Sequence, residues 1–185
     1  MRSTVALVLL LLAIVGAIML LSDRPMTFSR PTFQRAASQA TKPGFEGPKR
    51  VVMLYFRVRG QKLLQEEMRE IMGASSATEE AKRILEELIK GPESDLLPTV
   101  PRAARVRYLF IDSSGTAYAD FDREFTEGQP ADAQEGIYAA FSIVDTLASN
   151  FPQIKRVQIL VEGAEISSLA GVVDTAAPLV PRYVF

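Results

Sequence analysis

The sequence of 185 residues contains no cysteine and no histidine. Without cysteine there are no disulfide bonds, no thiolate metal ligands and no cysteine nucleophile. Without histidine the chain cannot build a Ser-His-Asp triad, an imidazole zinc site or the commonest general base. Catalysis would depend on carboxylate, lysine or tyrosine side chains alone. We therefore expect a protein that is not an enzyme and that holds no cofactor and no metal ion.

Charge is missing from residues 4–21, an apolar run of 18 residues. A helix of this length rises about 27 Å, close to the ~30 Å hydrocarbon core of a bilayer. We predict a transmembrane signal anchor over residues 1–22. A cleaved signal peptide is an alternative, but small residues do not follow the run directly. A soluble core helix is another, although a helix that is apolar all round suits a larger protein. A lipoprotein signal would need a cysteine.

The charges that flank this run and its position at the N-terminus favour opposite orientations. Arg24, Arg30 and Arg35 follow the run and only Arg2 precedes it, so the positive-inside bias favours a cytoplasmic C-terminus. An N-terminal apolar segment, however, usually exports the chain that follows. We expect a single-pass protein of the cytoplasmic membrane whose C-terminal domain lies outside the cytoplasm.

Residues 23–50 contain four prolines and two glycines, which predicts an extended basic linker. Its six basic and two acidic residues give a net charge of +4, whereas residues 51–185, the predicted domain, carry 14 basic and 20 acidic residues and a net charge of −6. A basic tether close to anionic lipid is one interpretation. An ordinary solvated linker is the other. The acidic domain makes nucleic-acid binding improbable.

Apolar patterns predict the strands. The continuous run Val51–Phe56 is typical of a central strand that is buried on both faces. Val106, Tyr108 and Phe110 alternate with other residues, which predicts one covered face. The further strands are predicted over residues 105–111, 116–122 and 155–161, with a short return near 165–168.

Two helices are predicted from apolar residues at helical spacing. The first covers residues 77–90, with Ser76 as its N-cap and Gly91 at its end. The second covers about 133–149 and begins at Asp132, with Glu135 three residues on. This order of elements predicts an α+β fold, a mixed sheet with the two helices packed on one face.

The most specific sequence motifs lie at residues 142–163: Ser-Ile-Val-Asp-Thr-Leu, then Phe-Pro, then Val-Gln-Ile-Leu-Val-Glu-Gly. This region resembles the GerMN domain, named from sporulation and spore-germination proteins, which carries nearly the same three motifs. A further family pattern, Leu-x-x-Glu-x-Arg-x-Ile, matches Leu64, Glu67, Arg69 and Ile71. The resemblance covers about residues 51–176. It implies an extended segment at 61–72, although the Leu, Gln, Glu and Met content there favours a helix.

The resemblance implies an extracytoplasmic interaction module, and the sequence departs from the family at three places. Asp145 stands where the family normally has Asn, and a buried carboxylate there would need a cationic partner or a raised pKa. Residues 130–133 replace a Gly-Ser pair. Residues 171–174 keep the family's Gly and Asp but lose its His, so this chain lacks the side chain that a His-dependent ligand role would need.

The candidate interaction surface comprises Tyr138, Ser142, Asp145 and Lys155. The first three share one flank of the second helix, where they line a polar groove, bond to a sheet edge, or simply cap neighbouring backbone. Three acidic residues along one strand are interpreted as a solvated face rather than a divalent-cation site: Asp120, Asp122 and Glu124.

We expect binding to membrane-envelope proteins or to peptidoglycan, with self-association as a further mode, in an envelope, sporulation or germination assembly. Small-molecule or glycan binding is the alternative, and a carboxylate-dependent hydrolase comes third. An exposed apolar patch would favour the binding module. A concave pocket with two carboxylates of perturbed pKa would favour the enzyme.

Overall fold

The computed structural model describes residues 48–130 and 132–183, all of which belong to one compact unit. The predicted anchor at 1–22 and the linker up to residue 47 lie outside the described residues, so both stay predictions. Within the described ranges, no helix is both long and apolar enough to cross a membrane.

The described residues form eight strands and three helices. The strands are β1 (Lys49–Arg57), β2 (Leu64–Met72), β3 (Val106–Ile111), β4 (Thr116–Phe121), β5 (Arg156–Val161), β6 (Ala164–Glu165), β7 (Ser168–Leu169) and β8 (Val173–Asp174). The helices are α1 (Ala77–Lys90), α2 (Glu124–Glu127) and α3 (Ala133–Asn150).

The strands form three sheets among the described residues. β1 and β2 make an antiparallel ribbon, and β7 and β8 make a second. The largest sheet has the order β3-β4-β5-β6, in which β4 and β5 are parallel and the other neighbours are antiparallel. This mixed sheet with its helices confirms the α+β class.

The prediction of a central first strand was wrong. Within the described ranges, β2 is the only strand that pairs with β1, and Val51 is 61% exposed. The alternate residues Val52, Leu54 and Phe56 are fully buried, so this face of β1 is covered from Val52 to Phe56, and Tyr55 on the other face is buried as well. The strand also begins at Lys49, two residues before the predicted start of the domain.

Both long helices form where their caps predicted them. The Ser76 hydroxyl accepts a hydrogen bond from the Glu79 N–H at 3.2 Å, and the Asp132 carboxylate accepts one from the Gln134 N–H at 2.8 Å. α1 ends at Gly91, whose φ of 89° requires a residue without a Cβ. Its buried stripe joins the core: Ala81, Ile84, Leu85, Leu88 and Ile89.

In the segment with conflicting signals, residues 61–72, the extended part implied by the family pattern is Leu64–Met72, and residues 61–63 precede the strand. β2 pairs with β1 in a continuous register from Leu64 opposite Arg57 to Met72 opposite Lys49. Leu64, Arg69 and Ile71 are buried, and the residues between them are more exposed. Pairing with β1 therefore overrides the local helix propensity of this segment.

The predicted covered face of β3 was wrong after its first residue. The register shifts between Val106 and Tyr108, so the strand has a β-bulge at Arg107. A bulge inserts one residue and reverses the faces that follow. Val106 and Leu109 are consequently buried, whereas Tyr108 is 71% and Phe110 60% exposed.

Candidate functional site

Polar side chains of α3 complete the hydrogen bonding of β1 at the edge that faces away from β2. The Asn150 Oδ1 accepts from the Met53 N–H at 3.0 Å, and its Nδ2 donates to the Met53 carbonyl at 2.7 Å. One turn earlier, the Thr146 hydroxyl accepts from the Tyr55 N–H at 3.1 Å. Because buried backbone groups need partners, these side chains seal an edge that would otherwise be open.

The end of the same edge is closed by backbone. Arg57 and Leu97 exchange two hydrogen bonds, of 3.2 Å and 2.8 Å. A polar flank of α3 therefore contacts a sheet edge. Two residues outside the predicted set, Thr146 and Asn150, make this contact. They follow Ser142 at intervals of four along the chain, a spacing that the sequence displays without revealing the acceptor or donor.

Three of the four predicted interaction residues are buried. Tyr138 lies under the Arg57 guanidinium, which is 5.4 Å from its ring centre, and its hydroxyl is 3.4 Å from the Gln61 carbonyl. The Ser142 hydroxyl donates to the Ala139 carbonyl at 3.1 Å within α3. Asp145 is 0% exposed.

Lys155 is exposed, and its ammonium donates to the Pro152 carbonyl at 2.7 Å. The structure thus separates it from the buried three. Contact of a partner with the buried side chains would require the segments that cover them to move, and the interaction role of all four residues stays a prediction.

Asp145 is held by the C-terminal segment. Its Oδ1 accepts a hydrogen bond from the Arg182 N–H at 2.7 Å, while its Oδ2 is buried without a hydrogen-bond partner among the described residues. Burial raises the pKa of Asp145 to about 6, although the Arg182 N–H and the Arg182 charge oppose the rise. The Arg182 guanidinium itself lies 4.7 Å from the Phe141 ring centre.

The interpretation of Asp120, Asp122 and Glu124 as a solvated face was wrong for Asp120. Its side chain is buried, accepts from the Gly163 N–H at 2.7 Å and pairs with Arg107 at 3.3 Å. Asp122 accepts from the Arg105 N–H at 2.9 Å, and Glu124 begins α2. In the described ranges, no group of three or more acidic side chains is placed to hold a metal ion.

The matched pair Glu67 and Arg69 forms a structural clamp. The buried Arg69 guanidinium donates to the Gly91 carbonyl at 2.9 Å and the Glu87 carbonyl at 3.1 Å, and it pairs with Glu67 at 2.6 Å. It thereby joins β2 to the C-terminal end of α1. Although partial burial opposes ionisation, hydrogen bonds from Ser94 and its neighbours lower the pKa of Glu67.

Exposed aromatic side chains form a feature that sequence reasoning missed. Tyr108 and Phe110 project from β3, the terminal strand of the mixed sheet, and the Phe110 ring lies 6.2 Å from that of Tyr118 on β4. The Arg107 guanidinium lies 5.8 Å from the Tyr108 ring centre. We call Tyr108, Phe110 and Tyr118 the aromatic face. The alternating pattern alone predicts that Tyr108 and Phe110 are buried, because the pattern of apolar residues does not reveal a bulge.

These observations define an α+β domain in which a polar helix flank seals the first strand. A family model described as Germane, sporulation and spore germination, matches residues 53–167. That match spans well over half of the chain, and the chain belongs to this family. A search of the curated proteins found no significant match.

Solved structures share the fold. The first GerMN domain of the sporulation protein GerM from Bacillus subtilis is 22% identical, with a TM-score of 0.58 over 72% of this chain and 98% of that one. The tandem GerMN domains of the same protein give 20% and 0.56, over 72% of this chain and 46% of that one. A protein provisionally described as a lipoprotein from Clostridium perfringens gives 20% and 0.53, over 78% and 95%.

Proposed function

We propose that this protein is a membrane-anchored, extracytoplasmic interaction module of an envelope, sporulation or germination assembly, and that it acts by binding rather than by catalysis. Its family is described by sporulation and spore germination, which supports the process. The Clostridium perfringens relative, provisionally described as a lipoprotein, supports a membrane-associated domain outside the cytoplasm. The apolar run at residues 4–21 supports a transmembrane form of attachment in this chain.

The observation that carries the binding role is the aromatic face. Large apolar side chains exposed together on a soluble domain mark interaction sites, and aromatic residues are enriched at the centres of protein interfaces. Tyr108 and Phe110 stand on a terminal strand, and no described segment covers their side chains. The acidic residues nearby, Asp120 and Asp122, are engaged by Arg107 and by backbone N–H groups. Neither is arranged as a free acid or base.

Partner capture from cross-linked membranes tests this role. The full-length protein with a C-terminal tag is compared with a variant that carries Tyr108→Ser and Phe110→Ser. We expect the double variant to lose the captured envelope proteins. The matched control carries Val51→Ser and Met68→Ser, which remove two exposed apolar side chains from the β1–β2 ribbon. Equal capture by all three proteins would contradict a binding role for the aromatic face.

The orientation has its own test. A reporter that is active only after export, fused after Phe185, should be active. Activity of a reporter that works only in the cytosol would overturn the extracytoplasmic placement, and the positive residues after the apolar run would then decide the topology.

Glycan binding is a second candidate, because exposed aromatic rings also stack on sugar rings. Sedimentation with purified peptidoglycan distinguishes the two. Sedimentation of the wild type that is lost with Tyr108→Ser and Phe110→Ser would favour the glycan, and absence of sedimentation together with capture of proteins would favour the protein partner.

A further inference from the structure

Among the described residues, β3 is an edge strand with no partner on its outer side. The Asp112 N–H donates to the Thr116 carbonyl at 2.9 Å, so the end of the strand is in register with β4. In antiparallel pairing, alternate residues turn their backbone groups toward the partner and away from it. Phe110 therefore faces β4, and Leu109 and Ile111 turn their N–H and C=O groups outward. No backbone group of another described segment bonds to these outward groups.

A cavity of about 470 Å³ adjoins the start of this edge, between the last turns of α1 and the residues that lead into β3. Three apolar and three basic side chains line it: Ile89, Ala104 and Val106, with Lys90, Arg102 and Arg105. One acid, Glu86, completes the lining. The cavity is large enough for a side chain of an added strand.

The charge of this groove is opposite to that of the domain. Residues 51–185 carry a net charge of −6, yet the lining holds three cations against one anion. Lys90 pairs with Glu87 at 2.5 Å, and Arg105 donates to the carbonyls of its own loop. The Arg102 guanidinium makes no ion pair and no hydrogen bond with another described side chain. Its charge is available to an anion.

Resting on the proposed function, we infer that the β3 edge and this groove receive an extended acidic segment of a partner protein as an added strand. The outward backbone groups of Leu109 and Ile111 supply the main-chain hydrogen bonds of such an addition. Successive side chains of a strand point to opposite faces. One set would place carboxylates in the groove, close to Arg102, and the other set would place apolar side chains beside Tyr108 and Phe110.

A second copy of this chain fits the groove less well. In an antiparallel pair of two β3 strands, the start of one strand would lie beside the end of the other. The acid at that end, Asp112, already accepts hydrogen bonds from the Ser114 and Thr116 N–H groups, so Arg102 would gain no free carboxylate. The acidic segment instead offers carboxylates to Arg102 and to Lys82, whose ammonium lies 3.3 Å from the Arg107 carbonyl at the same edge.

The test measures peptide binding to the full-length protein in detergent micelles by fluorescence anisotropy. The probes are labelled ten-residue peptides with alternating Glu and Val, alternating Lys and Val, and alternating Glu and Ser. We expect the Glu-Val peptide to bind most tightly. Arg102→Glu should weaken it at least about tenfold, as loss of a charge-assisted hydrogen bond implies. The matched control is Arg123→Glu, an exposed arginine outside the groove.

A second variant tests the backbone pairing. Ile111→Pro removes an outward N–H that β4 does not use, and it should abolish binding of the Glu-Val peptide. Circular dichroism reports whether this variant folds, and Arg102→Glu decides the inference if it does not. Equal affinity of the wild type and Arg102→Glu, or no affinity of the wild type for the Glu-Val peptide, would overturn the inference.

The outcomes separate this inference from the proposed function. Loss of captured envelope proteins with Tyr108→Ser and Phe110→Ser, together with no peptide binding, would support the proposed binding role and contradict the inference of an added acidic strand. Peptide binding without any captured protein would support a peptide site at the groove and contradict the proposed function. Sedimentation that shows a dimer which Ile111→Pro abolishes would assign the edge to a second copy and contradict the inference.

Discussion

Asn150 and Met53 pair through two hydrogen bonds, so that a side-chain amide on a helix takes the place of a neighbouring strand. The amide offers one acceptor and one donor in the order that a strand residue would present. The Nδ2 donates also to the Thr146 carbonyl at 2.8 Å, which fixes the orientation of the amide. α3 is thereby held against β1 along the edge that β2 leaves open.

Asn150→Ala should lower the free energy of unfolding by about 2–4 kcal/mol, because the Met53 N–H and C=O lose their partners in a buried position. Chemical denaturation of the full-length protein, followed by a signal from its C-terminal domain, measures this change in the free energy of unfolding. Gln153→Ala, at an exposed position three residues on, is the control and should change stability little. A loss below about 0.5 kcal/mol for Asn150→Ala would mean that water replaces the amide.

Gly136 allows α3 to approach the β7–β8 hairpin. A Cβ at this position would lie 2.4 Å from the Cβ of Ala170 and 3.3 Å from the Leu169 carbonyl oxygen. Gly136→Ala should therefore destabilise the domain by more than about 1 kcal/mol, although alanine is the better helix former.

A double-mutant cycle with Ala170→Gly isolates this contact. Ala170 has a φ of 51°, so Ala170→Gly also removes backbone strain and must be measured alone. Gly136→Ala should cost clearly less in the Ala170→Gly background than in the wild type. An equal cost in both backgrounds would place the conflict elsewhere.

Asp145 should make the stability of the domain depend on pH. Its pKa is about 6 in the folded protein against an ordinary value of 3.8, so the folded state binds more protons than the unfolded state between these values. Stability contributed by the neutral carboxyl is therefore lost as the pH rises from about 4 to 6, and the cost is complete above about 6. Asparagine carries no charge and avoids this cost.

Asp145→Asn should consequently raise the free energy of unfolding by about 2 kcal/mol at pH 8 and by little at pH 4. Unfolding curves over this range measure the difference, with the exposed Asp95→Asn as control. If the gain did not depend on pH, packing and not charge would account for the difference in stability between the wild type and Asp145→Asn.

Arg69→Met should lower the free energy of unfolding by about 3 kcal/mol, because Glu67 loses its buried cation and the Glu87 and Gly91 carbonyls lose their donor. The matched control is Lys49→Met, which removes an exposed cation that pairs with Glu70 at 3.0 Å and should cost under about 1 kcal/mol. Thermal unfolding compares the two variants. Similar losses in both would show that the clamp does not join β2 to α1.

The sequence predicts both long helices because their signals are local. Ser76 and Asp132 satisfy N–H groups two or three residues away, and Gly91 supplies a conformation that few other residues adopt. For β2 the local signal favours the wrong element, and the family pattern at Glu67 and Arg69 favours the right one. The physical reason is the clamp, since both side chains reach α1 and the loop after it.

Relationships between distant segments are not predictable in the same way. An apolar run such as Val51–Phe56 has the same composition whether a strand or the flank of a helix closes its second edge. The bulge at Arg107 shifts two aromatic residues from the predicted core to the surface without changing the pattern of apolar residues. The aromatic face exists only because of this bulge. For that reason the sequence pattern predicted as covered the two residues of β3 that are most exposed, Tyr108 and Phe110.

Hydrogen exchange at β3 tests most directly whether the protein acts by binding along this strand. The measurement compares the Leu109 and Ile111 amides of the full-length protein alone with those of the protein bound to its captured partner. We predict that both amides exchange fast in the free protein, faster than the Phe110 amide that faces β4, and that the partner slows their exchange. Unchanged exchange at Leu109 and Ile111, with protection at another surface of the bound protein, would contradict the account.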